Sequence, residues 1–405
     1  MIDVAIIGAG PAGTVAASLL VQQGWKVELF ERDHFPRFSI GESLLPQAME
    51  WLEQAGLLRD VVEAGFQHKN GAVFRCGEQE EAFDFREKSA PGWGTTYQVR
   101  RDCFDQILAE GAMRKGAVIH FGHTVTRMVP DAHAPRLTIR DEAGAEREIT
   151  ARFVLDASGF GRTLARLLEL ETPVPTPPRM AMFTHIKDSI APDAFDRNKI
   201  LISINPDHPQ IWYWLIPLAD GISSIGVVGE PQQMEPYGPD RSSRFAALIA
   251  ASGLMGELVK DAPQLRDIGE IKGYACKVSS LAGPGYALLG NAGEFLDPVF
   301  SSGLTIALKS ANLAAGILDR QLRGADVDWQ TQFCQPLLVG IDAFRSYVDA
   351  WYGGMLPRII FNQPAETGKV KTMITSILAG YAWDESNPFA SQPGTYLRMV
   401  DTVCG

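Results

Sequence analysis

The stretch "DVAIIGAGPAGTVAASLLVQQGWKVELFER", Asp3 to Arg32, decides the fold. Val4 to Ile7 have the unbroken apolar composition of a buried parallel strand, and Gly8-Ala9-Gly10-Pro11-Ala12-Gly13 then satisfy G-x-G-x-x-G. A helix of small and apolar residues is predicted from Thr14 to Gln22. A second strand, Trp25 to Phe30, ends at Glu31. In this order each part has a physical task. Gly8 makes the tight turn, Gly10 lets backbone approach a pyrophosphate, and Gly13 lets the helix close on the sheet. The helix N-terminus offers unpaired N–H groups to phosphate, while Glu31, beside Arg32, can accept hydrogen bonds from ribose hydroxyls. Dinucleotide binding follows, with Gly8, Gly10, Pro11, Ala12, Gly13, Glu31 and Arg32 as its first candidate contacts.

The rest of the chain narrows the class by exclusion. Its 405 residues, 46% hydrophobic, allow one large α/β unit with an inserted layer or two domains sharing a cleft. A formal net charge of −11 argues against nucleic acid and against anionic membrane surfaces. Cys76, Cys103, Cys276, Cys334 and Cys404 are scattered, with no C-x-x-C pair and no histidine at ligand spacing, so neither a metal site nor a disulfide framework is expected. No signal peptide and no membrane-length apolar run is read, and a soluble protein of the reducing cytoplasm is the expectation.

Two later stretches resemble the second and third signatures of the FAD-binding monooxygenase superfamily. "ARFVLDASGFGR", Ala151 to Arg162, is a strand running into Asp156-Ala157-Ser158-Gly159. "YALLGNAGEFLDPVFSSGLTIALKSANLAAGIL", Tyr286 to Leu318, is a strand, a loop and a long small-residue helix. The resemblance implies FAD rather than NAD. It implies cofactor contacts from Asp156, from Asn291 where the family usually has Asp, and from Asp297 and Pro298. At the following helix N-terminus it implies Ser302, Gly303 and Leu304, where amide donors meet the charge of a reduced flavin. It also sets Arg101, in the pattern R-x-x-F-D, against the flavin chain and Val125 against adenine. For both, ordinary surface or core packing stays open, as does a turn-capping role for Asp156.

The expected fold class is therefore α/β, with a discontinuous Rossmann-like FAD-binding domain at 1–165 and 275–320. An antiparallel β-sheet layer on the substrate side is expected at 166–274, from alternating runs such as "KILISINP", "QIWYWLIPL" and "ISSIGVVG". A helical C-terminal region is expected at 321–405. A single G-x-G-x-x-G leaves no second nucleotide domain, so electrons would come from NAD(P)H bound transiently or from a separate flavin reductase.

Three further stretches resemble the flavin-dependent halogenases and their close flavoprotein relatives: "FPRFSIGESLLP" (Phe35 to Pro46), "GFQHKNGAVF" (Gly65 to Phe74) and "IWYWLIPLADGISSIGVV" (Ile211 to Val228). The resemblance implies a flavin C4a-hydroperoxide that oxidises chloride or bromide to hypohalous acid. Lys69 would pass that oxidant to an aromatic substrate, and Trp212 and Trp214 would wall the flavin. Gly41, Glu42 and Ser43 would lie near the flavin face and the passage. Burial would lower the Lys69 pKa and make a neutral amine accessible. The tryptophan halogenases carry a glutamate before the S-G pair, and Asp297-Pro298-Val299-Phe300-Ser301-Ser302-Gly303 has none. That points toward electron-rich phenols or pyrroles. The chain is also shorter than many halogenases at its C-terminus, which leaves delivery on a carrier or as a peptide open, and hydroxylation is the blander version of the same flavin chemistry. A saturating reductase similar to the geranylgeranyl reductases, and a maturation flavoprotein that oxidises a side chain of a partner protein, are the alternatives. His68 is expected to face solvent, since neighbours in a strand point apart.

Overall fold

The structure, a computed structural model, describes residues 2–362 and 368–404. Ile2–Ile7 forms the middle of a parallel sheet, with Val27–Glu31 on one side and the carboxyl end of Glu146–Asp156 on the other. Val118–Phe121 and Tyr286–Leu288 extend it outward, also parallel. Val4, Ala5 and Ile6 are wholly buried, as an apolar strand covered on both faces must be. The helix Pro11–Gln22 packs against both Ser302–Leu322 and Arg101–Lys115. It approaches closely because a side chain at Gly13 would put its Cβ 2.1 Å from the Gly8 carbonyl oxygen. Gly8 itself holds φ at +93°, with the Ala157 carbonyl against its back. The amino end of Glu146–Asp156 leaves this sheet and pairs antiparallel with Arg136–Arg140, which pairs with Thr124–Val129. That ribbon carries Val125.

The second sheet runs Gly269–Lys272, Met180–Lys187, Ile222–Gly229, Trp212–Leu218, Lys199–Ile204, Gly71–Cys76, Gln79–Asp84. Two features differ from the expectation. Residues 71–84, expected in the nucleotide unit, supply two strands here, and Lys199–Ile204 pairs with Gly71–Cys76 in parallel. Pairing between strands so far apart in sequence is decided by packing, which local alternation does not encode. The added strands are flanked in sequence by Gln67–Lys69 and Thr96–Gln98, which pair antiparallel as a separate two-stranded ribbon.

Trp212–Leu218 is buried along its whole length because both faces are covered. Trp212, Trp214, Ile216 and Leu218 belong to the main core, which is continuous with the first sheet and the C-terminal helices. Tyr213 and Leu215 face a second core that includes Phe245 and Leu248 of the helix Arg241–Ala250. After Ser302–Leu322 the chain is helical, with Gln335–Tyr352, Met355–Phe361, Gly368–Leu378 and Pro393–Cys404. Among the described residues no helix is long and apolar enough to cross a membrane, and no cluster of three potential metal ligands occurs.

One glycine in this sheet makes room for an indole. Gly226 lies opposite Trp214 in register, and a Cβ there would sit 2.3 Å from the Trp214 ring. Gly226→Val is therefore expected to cost about 1–3 kcal/mol by overpacking and to displace Trp214. Urea unfolding and tryptophan emission check this, and an unchanged emission spectrum would contradict it.

Candidate functional site

A cleft of about 440 Å³ lies between the two sheets. Gly8, Gly10, Pro11, Ala12, Glu31 and Arg32 line it from the first βαβ turn, with Val125 from the ribbon beside them. Gly41, Glu42, Ser43 and Arg101 line it from the loop before the first short helices and from the helix that follows. Trp212, Trp214 and Ile216 wall it from the second sheet, and Asn291, Pro298, Gly303 and Leu304 close it from the third stretch. The three sequence signatures thus converge on one cavity.

Glu31 is held rather than free. Its Oε2 accepts from the Ala9 amide at 2.8 Å and its Oε1 from the Asp33 amide at 3.0 Å. Arg101 is likewise committed: Nε and Nη2 fork onto Asp105 at 2.7 and 3.0 Å, and Nη1 donates to the carbonyls of Ile40 and Gly41. Arg37, which the sequence reading passed over, joins the same carboxylate at 3.1 Å. These contacts pin the loop 37–46 against the nucleotide helix layer.

Three expected contacts are corrected. Asp156 is fully buried, and its carboxylate accepts from the amides of Ser158 and Leu164 at 2.9 and 2.6 Å. It caps the turn at Gly159 instead of lining the cleft. Burial pushes its carboxyl up despite those donors. Asp297 is also buried. Its Oδ1 accepts from the Val299 amide at 3.1 Å, and its Oδ2 from the hydroxyls of Tyr274 and Tyr352 at 3.0 and 2.9 Å. Tyr352 in turn accepts from Trp212 Nε1 at 2.9 Å and lies under the Arg179 guanidinium. Asp297 therefore acts at one remove, by fixing the indole that walls the cleft. Ser302 is buried away from the cavity; Ser301, in a left-handed turn with φ 55°, takes its place on the wall.

Lys69 lies behind the cleft wall, at a small second space that shares part of that wall. It is fully buried, and Nζ donates to Ser43 Oγ at 2.6 Å and to the Leu44 carbonyl at 2.8 Å. The Phe85 ring lies 5.2 Å from the amine. Without a carboxylate partner, burial brings its pKa from 10.5 down to about 7. Lys69, Phe85, Phe74, Leu45 and Leu378 line a space of about 10 Å³, and four more of its lining residues, Ile200, Ile202, Val299 and Ser301, are shared with the cleft. That space holds one water-sized particle. A ring needs far more, on the scale of the roughly 150 Å³ cavity that admits benzene. His68, next in sequence, is exposed as expected.

The cleft also holds a pair the sequence did not announce. Glu42 is buried, and its Oε1 meets His185 Nε2 at 2.6 Å. His185 comes from "MAMFTHIK", a strand whose pattern marks a core element and singles out no functional side chain. Tyr352 and Tyr274 were equally silent, being separate aromatic residues joined only by folding.

The residues present fit FAD. Asn291 Oδ1 is buried on the cleft wall with no hydrogen-bond partner among the described residues, an acceptor suited to a cofactor hydroxyl. The long helix Ser302–Leu322 begins at the cleft with Gly303, which leaves its first amides open to an electron-rich ring.

Comparison with known proteins agrees. The family described as FAD binding domain matches residues 1–236. A tryptophan 2-halogenase of Chondromyces crocatus is 31% identical over 344 residues, 82% of this chain and 63% of its own length. A 1H-pyrrole-2-carbonyl-(peptidyl-carrier protein) chlorinase of Pseudomonas fluorescens is 29% identical, covering 80% of this chain and 77% of that protein. The chain thus spans under two thirds of the first relative. Among solved structures, a flavoprotein/dehydrogenase from Cytophaga hutchinsonii superposes with a TM-score of 0.95 at 42% identity, over 100% of this chain and 98% of that one. The flavin-dependent brominase Bmp2 shares the fold, with a TM-score of 0.82 at 24% identity over 99% and 98% of the two chains.

The buried amine makes stability depend on pH. Its folded pKa is depressed, so between about 7 and 10.5 the native protein binds fewer protons than the unfolded chain. The stability this group contributes is complete above 10.5, declines as pH falls through the window, and is lower by about 4–5 kcal/mol near its lower end. Lys69→Met is expected to gain on the wild type as pH falls from 10.5 to 7 and to hold a level margin below. Urea unfolding of both proteins across that range checks this; a margin independent of pH would place the amine in water.

Proposed function

For a chain that belongs to the FAD-binding-domain family and is similar to flavin-dependent halogenases over about four fifths of its length, we propose halogenation of an electron-rich aromatic substrate, with chloride or bromide as co-substrate. The enzyme is an FAD-dependent oxidoreductase. When bound and reduced, FAD supplies two electrons to O₂ and so the oxidising power that takes halide to hypohalous acid. The protein's part is containment and delivery.

We rest this reading on Lys69, whose fully buried amine donates to Ser43 of the cofactor cleft beside a small space that shares part of the cleft wall. With a pKa of about 7 both amine and ammonium are populated near neutrality, so Lys69 can hydrogen-bond a hypohalous acid or take up its halogen. Ser43 Oγ and the Leu44 carbonyl hold Nζ in place, in the role the tryptophan halogenases give partly to a glutamate. Trp212 and Trp214, their rings 6.0 Å apart, exclude water from that side and leave the oxidant one outlet.

The small space beside Lys69 has room as folded for one water and for neither a hypohalous acid nor a ring, so oxidant and aromatic substrate reach the amine by parting side chains such as Phe85 and Leu378. The relatives' substrates, tryptophan and a pyrrole tethered to a carrier protein, are both electron-rich heteroaromatics. Without a glutamate before Ser301-Ser302-Gly303, a phenol or pyrrole, free or tethered, suits this site better than free tryptophan. Reduced flavin comes from NAD(P)H in transient contact or from a flavin reductase.

Turnover with a flavin reductase, FAD, bromide or chloride, and a panel of phenols and pyrroles, read by mass spectrometry, tests the proposal. Halogenated product is expected from wild type and none from Lys69→Ala, with flavin reoxidation continuing in both. Products that carry oxygen and never halogen would remove the halogenase assignment.

A further inference from the structure

The chemistry proposed above consumes protons inside a walled cleft. Reduced anionic flavin, O₂, halide and two protons give oxidised flavin, hypohalous acid and water; without halide, one proton suffices and the product is hydrogen peroxide. Those protons need a route through the wall. We propose that Glu42 and His185 form that route, a proton relay from solvent to the flavin-facing cleft.

The arrangement has a direction. The Glu42 side chain is wholly buried, and its Oε1 is engaged by His185 Nε2 at 2.6 Å. Its Oε2 is buried with no hydrogen-bond partner among the described residues, and Glu42 lines the cleft. A carboxyl oxygen left unpaired in the interior is costly, so its retention points to a hydrogen-bonding partner that arrives with the cleft's occupant. His185 is 15% exposed at its side chain, so the pair spans from solvent to cavity. In the relay, protonated Glu42 releases its proton from Oε2 into the cleft; as His185 Nδ1 takes a proton from water, Nε2 passes its own to Oε1, and the carboxyl then rotates to face the cleft while the imidazole returns to its Nε2–H form.

The surroundings leave the pair free to act. Phe38 meets the His185 ring edge-on at 5.8 Å, and the Arg266 guanidinium covers the Phe38 ring. Arg266 is the cation whose field reaches Glu42, with Asp267 and Asp102 balancing it. Arg101 is spent on Asp105 and the loop carbonyls, and Lys69 on Ser43 and Leu44. Among the described residues no other side chain hydrogen-bonds the Glu42 carboxylate.

The relay rests on the proposed function only for the identity of the cleft's occupant, and it is tested without halide or aromatic substrate. Reduced FAD-loaded protein is mixed with O₂ and flavin absorbance is followed in wild type, Glu42→Gln and His185→Gln. His185→Gln keeps a donor for Glu42 but passes no proton, so a purely structural pair would leave its rate unchanged. Reoxidation slower by about 10²-fold is expected in both variants at saturating FAD, with imidazole in the buffer restoring His185→Gln. A wild-type rate in His185→Gln, or a slow rate that imidazole leaves untouched, overturns the relay. Nitrogen NMR of the cofactor-free wild-type protein is a second readout that needs no turnover. The relay requires His185 to carry its proton on Nε2, towards Glu42, and a ring protonated on Nδ1 alone overturns it. If reoxidation slows as expected yet no halogenated product ever forms, the relay stands and the halogenase assignment falls.

Discussion

One guanidinium holds the site together. Arg101 opens the helix Arg101–Lys115, forks onto Asp105 one turn later and donates to the carbonyls of Ile40 and Gly41. Removing one member of such a buried pair typically costs about 3–5 kcal/mol, because the other charge is left without compensation. The loop it anchors carries Glu42 and Ser43 as neighbours in sequence. Glu42 reaches across to His185 on the second sheet, and Ser43 reaches Lys69 on the hairpin. Both of these links therefore hang on a loop that Arg101 and Arg37 tie to Asp105 and that backbone bonds to Tyr97 and Val99 hold.

Those two links use opposite electrostatics. Lys69 is buried with neutral oxygens only, so desolvation goes uncompensated and the amine becomes available near neutrality. The Glu42 carboxylate has a titratable partner and a slightly exposed outlet for charge through His185. A carboxylate beside Lys69 would hold it as an ammonium. Ser43 in that position keeps the amine oriented without fixing its charge. The same economy governs Trp212, whose indole N–H ends in the Tyr352 hydroxyl and, through it, in Asp297. That chain supports the wall from behind while leaving its cleft face apolar.

Much of the site was legible because its logic is local. The turn at Gly8 to Gly13, the acid at the end of the next strand and the paired indoles of Trp212 and Trp214 depend on spacings within a few residues, and the structure brings all of them to one cavity. Lys69 was legible through the resemblance of its flanks, and the structure buries it against Ser43 and the Leu44 carbonyl. The misplaced residues share one cause. Asp156, Asp297 and Ser302 lie inside recognisable signatures, yet a carboxylate or hydroxyl beside a turn is equally suited to backbone amides, and here the turns claim the two carboxylates.

By itself the sequence determined the nucleotide-binding framework, the tryptophan wall and the candidate amine, since each follows from backbone geometry or side-chain size at short range. Tertiary structure alone decided that residues 71–84 join the second sheet, that Asp297 acts through Tyr352, and that Glu42 meets His185. The reason is physical: these are contacts between segments more than fifty residues apart, chosen by which buried polar groups can satisfy one another once the core has closed, and no local pattern records that choice.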